Sequence, residues 1–213
     1  MKPIDPCIVP FSTRTLFLAL IPLLALFCAN ARTSPPPMHP PATKEELQQR
    51  LLRFADSLHK RADAEAERFS AALGITLTPI ENAPKYYEAL SQPLAGGYLF
   101  TVSSLHGTKY FTMNSVRVFP PDGQDPVRAT DPPCIWDAAD FSRKLEAIGF
   151  DSWEGDTSPP HGMPYQGGRK WSHWRPIDNN GHGVAASLLI YDVGPAGASR
   201  ECVYGIQFRG DDA

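Results

Sequence analysis

The chain has 213 residues, 22 prolines, 20% charged residues and a net charge of −3 at pH 7. Its length fits one to one and a half average domains, and its mixture of apolar and charged residues is that of a globular protein. The negative charge argues against general nucleic-acid binding, which needs a strongly basic surface. No apolar run reaches the length of about 18 residues that an ordinary membrane span requires.

Residues 1–31 have the features of a secretory signal. Lys2 and Arg14 precede the 12-residue apolar segment Leu16–Phe27, and a small-x-small cleavage pattern ends at Ala31. We therefore expect cleavage near Ala31 and export to the periplasm or the exterior. The mature chain is predicted to have no membrane span.

Two alternatives to this signal remain open. A retained anchor is disfavoured because a 12-residue helix spans only about 18 Å, less than the hydrocarbon core of a bilayer. Lipid attachment at Cys28 is disfavoured because the bulky Phe27 stands immediately before the cysteine.

Cysteine usage points to an oxidising compartment. Cleavage near Ala31 removes two of the four cysteines and leaves Cys134 and Cys202. Two thiols in an exported chain favour a single disulfide, and the alternative is two buried thiols that do not meet.

Residues 32–42 are rich in proline and are predicted to form an extended tether. We expect residues 43–213 to form one α+β domain. Thr43 and Glu46 have the spacing of a capping box, and apolar residues then recur every three or four positions until Gly74. This pattern predicts one helix of about 30 residues. It packs on a sheet or, alternatively, extends beyond the domain to dock a partner.

Shorter elements follow this helix. A second helix is predicted from Ala138, capped by Asp137 and ended by Gly149. The segments predicted as strands are 75–80, 98–105, 108–119 and 150–153, and the segments predicted as loops are 82–97, 120–133 and 156–168.

The last part of the chain has the clearest β pattern. The segment 184–193 is apolar on both faces and 200–209 alternates, and Gly-, Pro- and Asn-containing turns separate the three runs 168–177, 184–193 and 200–209. The predicted fold is α+β, an antiparallel sheet of about five to six strands with a long N-terminal helix and a second short helix packed on it.

Catalytic and metal-binding motifs are absent from the sequence. The histidines lack the short spacing of a zinc site, and no nucleophile-elbow or phosphate-loop motif occurs. We expect no metal and no cofactor. A small periplasmic hydrolase that uses His173, or His182 with the nearby Asp178, remains an alternative. A tight polar turn equally explains His182 and Asp178.

The most informative segment is a basic and aromatic strand at 169–175. Alternation places Arg169, Trp171, His173 and Arg175 on one face. Because cations are costly to bury without partners, we expect this face at the surface and Trp174 in the core. An exposed Trp flanked by Arg is typical of binding hot spots. The alternative is a solvated strand in which a loop covers Trp171.

These features favour an exported, non-catalytic binding protein of the inhibitor or immunity type, with another envelope protein as its partner. A glycan- or peptidoglycan-binding module is the main alternative, because indole rings can stack on sugars. The tryptophans available for such stacking are Trp136, Trp153, Trp171 and Trp174.

Overall fold

The structure is a computed structural model that describes residues 41–107, 111–153, 169–179, 181–195 and 197–211. The predicted signal peptide, nearly all of the predicted tether and the loop 156–168 lie outside these residues. The described residues form an α+β fold with a nine-stranded antiparallel sheet and three α-helices.

The sheet places the hairpins of the chain side by side in the order β1-β2-β3-β4-β9-β8-β7-β6, and β5 pairs with a further part of β9. The strands are β1 (Thr78–Pro79), β2 (Tyr86–Pro93), β3 (Leu99–His106), β4 (Phe111–Phe119), β5 (Trp136–Asp137), β6 (Asp151–Trp153), β7 (Arg169–Pro176), β8 (Gly183–Val193) and β9 (Arg200–Asp211).

The helices are α1 (Lys44–Ser57), α2 (Ala66–Leu73) and α3 (Ala138–Glu146), and a 3-10 helix, Arg61–Ala64, separates the first two. At the start of α1, the backbone N–H of Glu46 donates to the Thr43 hydroxyl at 3.1 Å, and the Thr43 N–H donates to the Glu46 carboxylate at 2.7 Å. This is the capping box that the sequence predicts.

The prediction of one N-terminal helix of about 30 residues is wrong, because the chain leaves the helix at Leu58. There the Asp63 carboxylate accepts the backbone N–H groups of His59 and Lys60, each at 3.0 Å. Burial raises the pKa of Asp63, but these donors and the Arg68 guanidinium hold it below its usual value. A charged side chain therefore satisfies the backbone where the helix stops.

The break keeps both helices over the sheet. The rings of Phe54 in α1 and Phe69 in α2 lie 4.7 Å apart, and they lie 5.3 and 6.3 Å from the ring of Phe208 in β9. An unbroken helix of about 30 residues would be about 45 Å long and would carry its second half past these contacts.

The sheet also has more strands than the five to six predicted. The prolines and the Gly pair of the segment 82–97 predict a loop, yet Tyr86–Pro93 forms β2. Its backbone pairs with β3 from Tyr86 opposite Leu105 to Pro93 opposite Leu99. The pairing shifts between Ala89 and Gln92, and this bulge accommodates the irregular sequence.

The α-helices pack on one face of the sheet, here called the helix-packed face. Phe208 contacts α1 and α2, and His173 of β7 reaches Ser142 of α3. Asn114 of β4 donates its side-chain N–H to the carbonyl oxygen of Ala64 at 2.7 Å. Residues next to these along each strand belong to the other side of the sheet, here called the opposite face.

A disulfide ties the segment before α3 to β9. Cys134 and Cys202 lie at disulfide distance, with Cα atoms 5.4 Å apart, which fits an oxidising compartment. Nearby, the Tyr191 hydroxyl accepts the Ile135 N–H at 2.9 Å and donates to the Pro133 carbonyl oxygen at 2.6 Å. Burial raises the pKa of Tyr191 to about 12, so the hydroxyl keeps the proton that it donates.

Candidate binding surface

The predicted basic and aromatic surface lies on the helix-packed face, so the expectation that it is exposed is wrong. Arg175 shows this most clearly. Its guanidinium donates to the carbonyl oxygens of Ala55 and Leu58 at the end of α1 and of Ile148 just after α3. It also lies 4.5 Å from the ring centroid of Phe150, within cation–π range.

Helix ends explain why a cation is stable there. The last carbonyl groups of a helix have no partner within the helix and carry partial negative charge. Arg175, whose side chain is 12% exposed, supplies the missing donors to both helix ends. The residue thus joins α1 and the end of α3 to β7.

His173 is also a packing residue. It is 1% exposed, and its Nε2 lies 2.8 Å from the Ser142 hydroxyl, which also donates to Glu146 at 3.1 Å. Burial lowers the pKa of His173, and backbone groups of Ala186 and Trp171 together with the Glu146 carboxylate oppose this shift only in part. A substrate has no access to this imidazole in the observed fold.

Trp171 and Arg169 complete this face of β7. Trp171 is half-buried and packs against the core. Arg169 forms ion pairs with Asp192 and Glu201 near the edge of the sheet. The structure therefore brings the four predicted residues onto one face, as alternation requires. Arg175, His173 and Trp171 contact helices or the core, and Arg169 forms ion pairs.

His182 and Asp178 form a pair in the turn between β7 and β8. The Asp178 carboxylate accepts from the backbone N–H of His182 at 3.2 Å and lies 2.6 Å from its Nδ1. The Ile177 N–H donates to the His182 carbonyl oxygen at 2.8 Å. These contacts are those of a tight polar turn that closes a hairpin.

The opposite face carries a row of small polar residues that sequence reasoning missed. Strand register places Glu88, Ser103, Ser115, Gln207, Ser187 and Ser172 side by side across β2, β3, β4, β9, β8 and β7. The hydroxyls of Ser172 and Ser187 lie 3.3 Å apart. Alternation within each strand could indicate which of its residues share a face. It could not indicate that these polar residues lie side by side, because the order of the strands depends on pairing between segments far apart in sequence.

One end of this row opens into a hollow of about 270 Å³. Its lining combines apolar side chains, hydroxyls and two opposite charges. The lining residues are Tyr86, Glu88, Leu90, Thr101, Val102, Ser103, Met113, Ser115, Arg117 and Gln207. The hollow is therefore amphipathic, and it is the best candidate binding surface on the described face.

Leu90 at the rim of the hollow is 58% exposed. It lies in the bulge of β2, where Ser91 has a φ of 51° and Gln92 donates its side-chain N–H to the Leu90 carbonyl oxygen at 2.9 Å. Single exposed leucines are ordinary, but this one stands beside a hollow that also contains Tyr86 and Met113.

The tryptophans have unequal access. Trp136 is buried, contacts Phe141 and donates its indole N–H to the Lys44 carbonyl oxygen at 3.1 Å. Trp174 lies on the opposite face and is half-buried, although the sequence predicted it in the core. Its ring covers Gly183, where an added Cβ would lie 2.3 Å from the ring.

A second hollow, about 360 Å³, lies near the end of β3 and is lined by Ala62, Glu65, His106 and Thr112. Its histidine is engaged: Nε2 of His106 accepts the Ala66 N–H at 2.9 Å and so caps the start of α2. The hollow therefore adjoins a structural contact between β3 and α2.

The described residues lack two further features. None of their helices is both long and apolar enough to cross a bilayer. No group of three or more His, Cys, Asp or Glu side chains among them is arranged to hold a metal ion.

Comparisons with protein families, curated proteins and solved structures found no match for this chain.

Proposed function

We propose that the protein is an exported, non-catalytic binding protein that recognises another envelope protein, as an inhibitor or immunity-type protein does. Its contact surface in this proposal is the hollow on the opposite face of the sheet. Export rests on the signal-like segment 1–31 and is in keeping with the Cys134–Cys202 pair.

The observation that carries the proposal is the lining of this hollow. Tyr, Met and Arg are enriched at the cores of protein interfaces, and Tyr86, Met113 and Arg117 lie together beside the exposed Leu90. A partner side chain placed there would contact apolar groups and find hydrogen-bonding groups on Ser103 and Gln207.

The alternatives receive less support from the same residues. Stacking on a glycan requires accessible indoles, but Trp136 is buried, Trp171 packs against the core, and the half-buried Trp174 lies over Gly183. Hydrolysis at His173 requires access to an imidazole that is 1% exposed. The hollow is instead lined by Tyr, Met and Arg side chains, which are the types enriched in protein interfaces.

Site-specific photo-crosslinking in the envelope fraction tests the proposal. A photoreactive amino acid replaces Leu90 in one variant and Gln49, which is exposed on α1, in the matched control. We expect a protein adduct from position 90 that is absent from position 49. Equal adducts from both positions, or none from position 90, would contradict the proposal.

The captured partner then allows a measurement of affinity. Leu90→Ala and Met113→Ala should each weaken binding about thirtyfold, since hot-spot truncations cost about 2 kcal/mol. The control Arg53→Gln on exposed α1 should bind like the wild type. Unchanged binding in both hollow variants would place the contact surface elsewhere.

A further inference from the structure

The charges in the hollow carry information about the partner. Glu88 on β2 is level with Ser103 on β3, whereas Arg117 on β4 is level with Thr101. With strands about 4.8 Å apart and residues about 3.4 Å apart along a strand, the Cα atoms of Glu88 and Arg117 are separated by about 12 Å. The hollow between them thus has a negative and a positive side.

The surroundings of this charge pair are mixed. Leu90, Met113 and Tyr86 supply apolar surface, and hydroxyls such as those of Ser103 and Ser115 supply donors and acceptors. Arg117 also interacts within the chain, but a guanidinium has five N–H donors and can serve a further acceptor.

We infer that the occupant of this hollow is a dipolar peptide segment of the protein partner, with an apolar side chain between one basic and one acidic residue. Its cation would pair with Glu88 and its carboxylate with Arg117, while its apolar side chain contacts Leu90. This inference rests on the proposed function and adds the chemistry of the segment that is recognised.

Charge complementarity favours this segment over the other simple types. A segment with two basic residues would place a second cation near Arg117, and one with two acidic residues would place a carboxylate near Glu88. Like charges brought together at an interface suppress binding of the wrong ligand. The opposite charges of Glu88 and Arg117 on the two sides of the hollow therefore favour a ligand that carries one positive and one negative charge.

Three blocked tripeptides provide the probes: acetyl-Lys-Leu-Glu-amide, acetyl-Lys-Leu-Lys-amide and acetyl-Glu-Leu-Glu-amide. Each is titrated at millimolar concentration into the ¹⁵N-labelled protein, and amide shifts are followed by NMR. We expect the Lys-Leu-Glu peptide to shift the amides of Thr101, Ser103 and Met113, with an affinity at least threefold above that of either other peptide.

Charge-neutralising variants separate the two sides. Glu88→Gln should remove the preference over the doubly acidic peptide, and Arg117→Gln should remove the preference over the doubly basic one. The matched controls Glu67→Gln and Arg53→Gln change exposed charges on α2 and α1, and they should leave both preferences intact.

Three outcomes overturn the inference. These are equal or tighter binding of a singly signed peptide, shifts confined to amides outside the hollow, and no binding of any of the peptides. If Leu90→Ala nevertheless weakens binding of a captured partner, the proposed function stands and only the dipolar chemistry fails. If partner binding is also unaffected, both fail.

Discussion

The two faces of β7 each carry a cation and an indole, but they differ in what those groups contact. On the helix-packed face, Arg175 and Trp171 bind helix ends and core. On the opposite face, Lys170 is 5% exposed beside the buried Ser172, and Trp174 is half-buried over Gly183. Both faces of β7 therefore bury a cation, and charge alone does not predict which face of a strand is buried. On the helix-packed face, acceptors supplied by the helix ends accommodate the guanidinium.

The largest effect expected concerns the covalent tie between the segment before α3 and β9. Replacing both Cys134 and Cys202 by Ser opens a loop with a sequence separation of 68. The chain-entropy model gives a loss of about 4 kcal/mol in the free energy of unfolding. Urea unfolding measures this loss, and thiol titration of the denatured, unreduced mature protein, which begins after Ala31, should find neither Cys134 nor Cys202 free. Two reactive thiols would contradict the disulfide.

Removing the guanidinium of the helix-packed face should have the next largest effect. Arg175→Met leaves the carbonyl oxygens of Ala55, Leu58 and Ile148 without this donor, and we expect a loss of about 3 kcal/mol. The control Arg169→Met removes partly exposed ion pairs and should cost less than about 1 kcal/mol. Equal losses in chemical denaturation would show that Arg175 is not a structural clamp.

The two indoles provide a direct test of which face packs. Trp171→Ala removes a half-buried ring that contacts the core and should cost about 2–3 kcal/mol, somewhat below the cost of a fully buried aromatic. Trp174→Ala should cost less, because its ring covers Gly183 on the opposite face. The measurement is the melting temperature of each variant. A larger loss from Trp174→Ala would reverse the assignment of the faces.

The strand itself was predictable from sequence, but its orientation was not. Alternation correctly grouped Arg169, Trp171, His173 and Arg175, because side chains of one strand alternate whatever they face. The prediction that this face is exposed depends on the cost of burying cations, and that cost applies only where the cations have no partners. The partners of Arg175 come from positions 55, 58 and 148, which no local pattern links to position 175.

The length of the N-terminal helix and the position of the candidate hollow could not be predicted from the sequence for a related reason. The apolar spacing before Gly74 continues through the break, so periodicity alone predicts one helix, whereas Asp63 ends α1 by binding the backbone of His59 and Lys60. The hollow requires β2, β3, β4 and β9 in register, and this order depends on pairing between residues far apart in sequence.

A smaller effect is expected from the buried histidine of the helix-packed face. Because burial lowers the pKa of His173, the folded state binds its proton less readily than the unfolded state, whose pKa is near 6.5. Its contribution is therefore present above about pH 6.5 and is lost as the pH falls toward the folded-state pKa. The slope from this group cannot exceed about 1.4 kcal/mol per pH unit.

Urea unfolding at pH 7.5 and pH 5 measures this dependence. Two carboxylates with lowered pKa values titrate outside this window, below about pH 4. Burial raises the pKa of Asp63, but backbone donors and Arg68 lower it further, and the pKa of Asp140 is lowered because its carboxylate accepts from Lys144. His173→Gln should lose stability at pH 7.5 yet depend less on pH than the wild type. An unchanged difference between the two pH values would assign the dependence to other groups.

The smallest effect on stability should come from the rim of the hollow. Leu90 is 58% exposed on the bulge of β2, so Leu90→Ser removes little buried surface and should change the free energy of unfolding by less than about 0.5 kcal/mol. The same substitution at the buried Leu188 of β8, which faces the helices, should cost at least about 3 kcal/mol. Both values come from chemical denaturation at pH 7.5. If Leu90→Ser lowers the free energy of unfolding by more than about 1 kcal/mol, the rim of the hollow supports the fold. A loss of partner binding in a Leu90 variant could then result from lower stability and would not by itself indicate recognition.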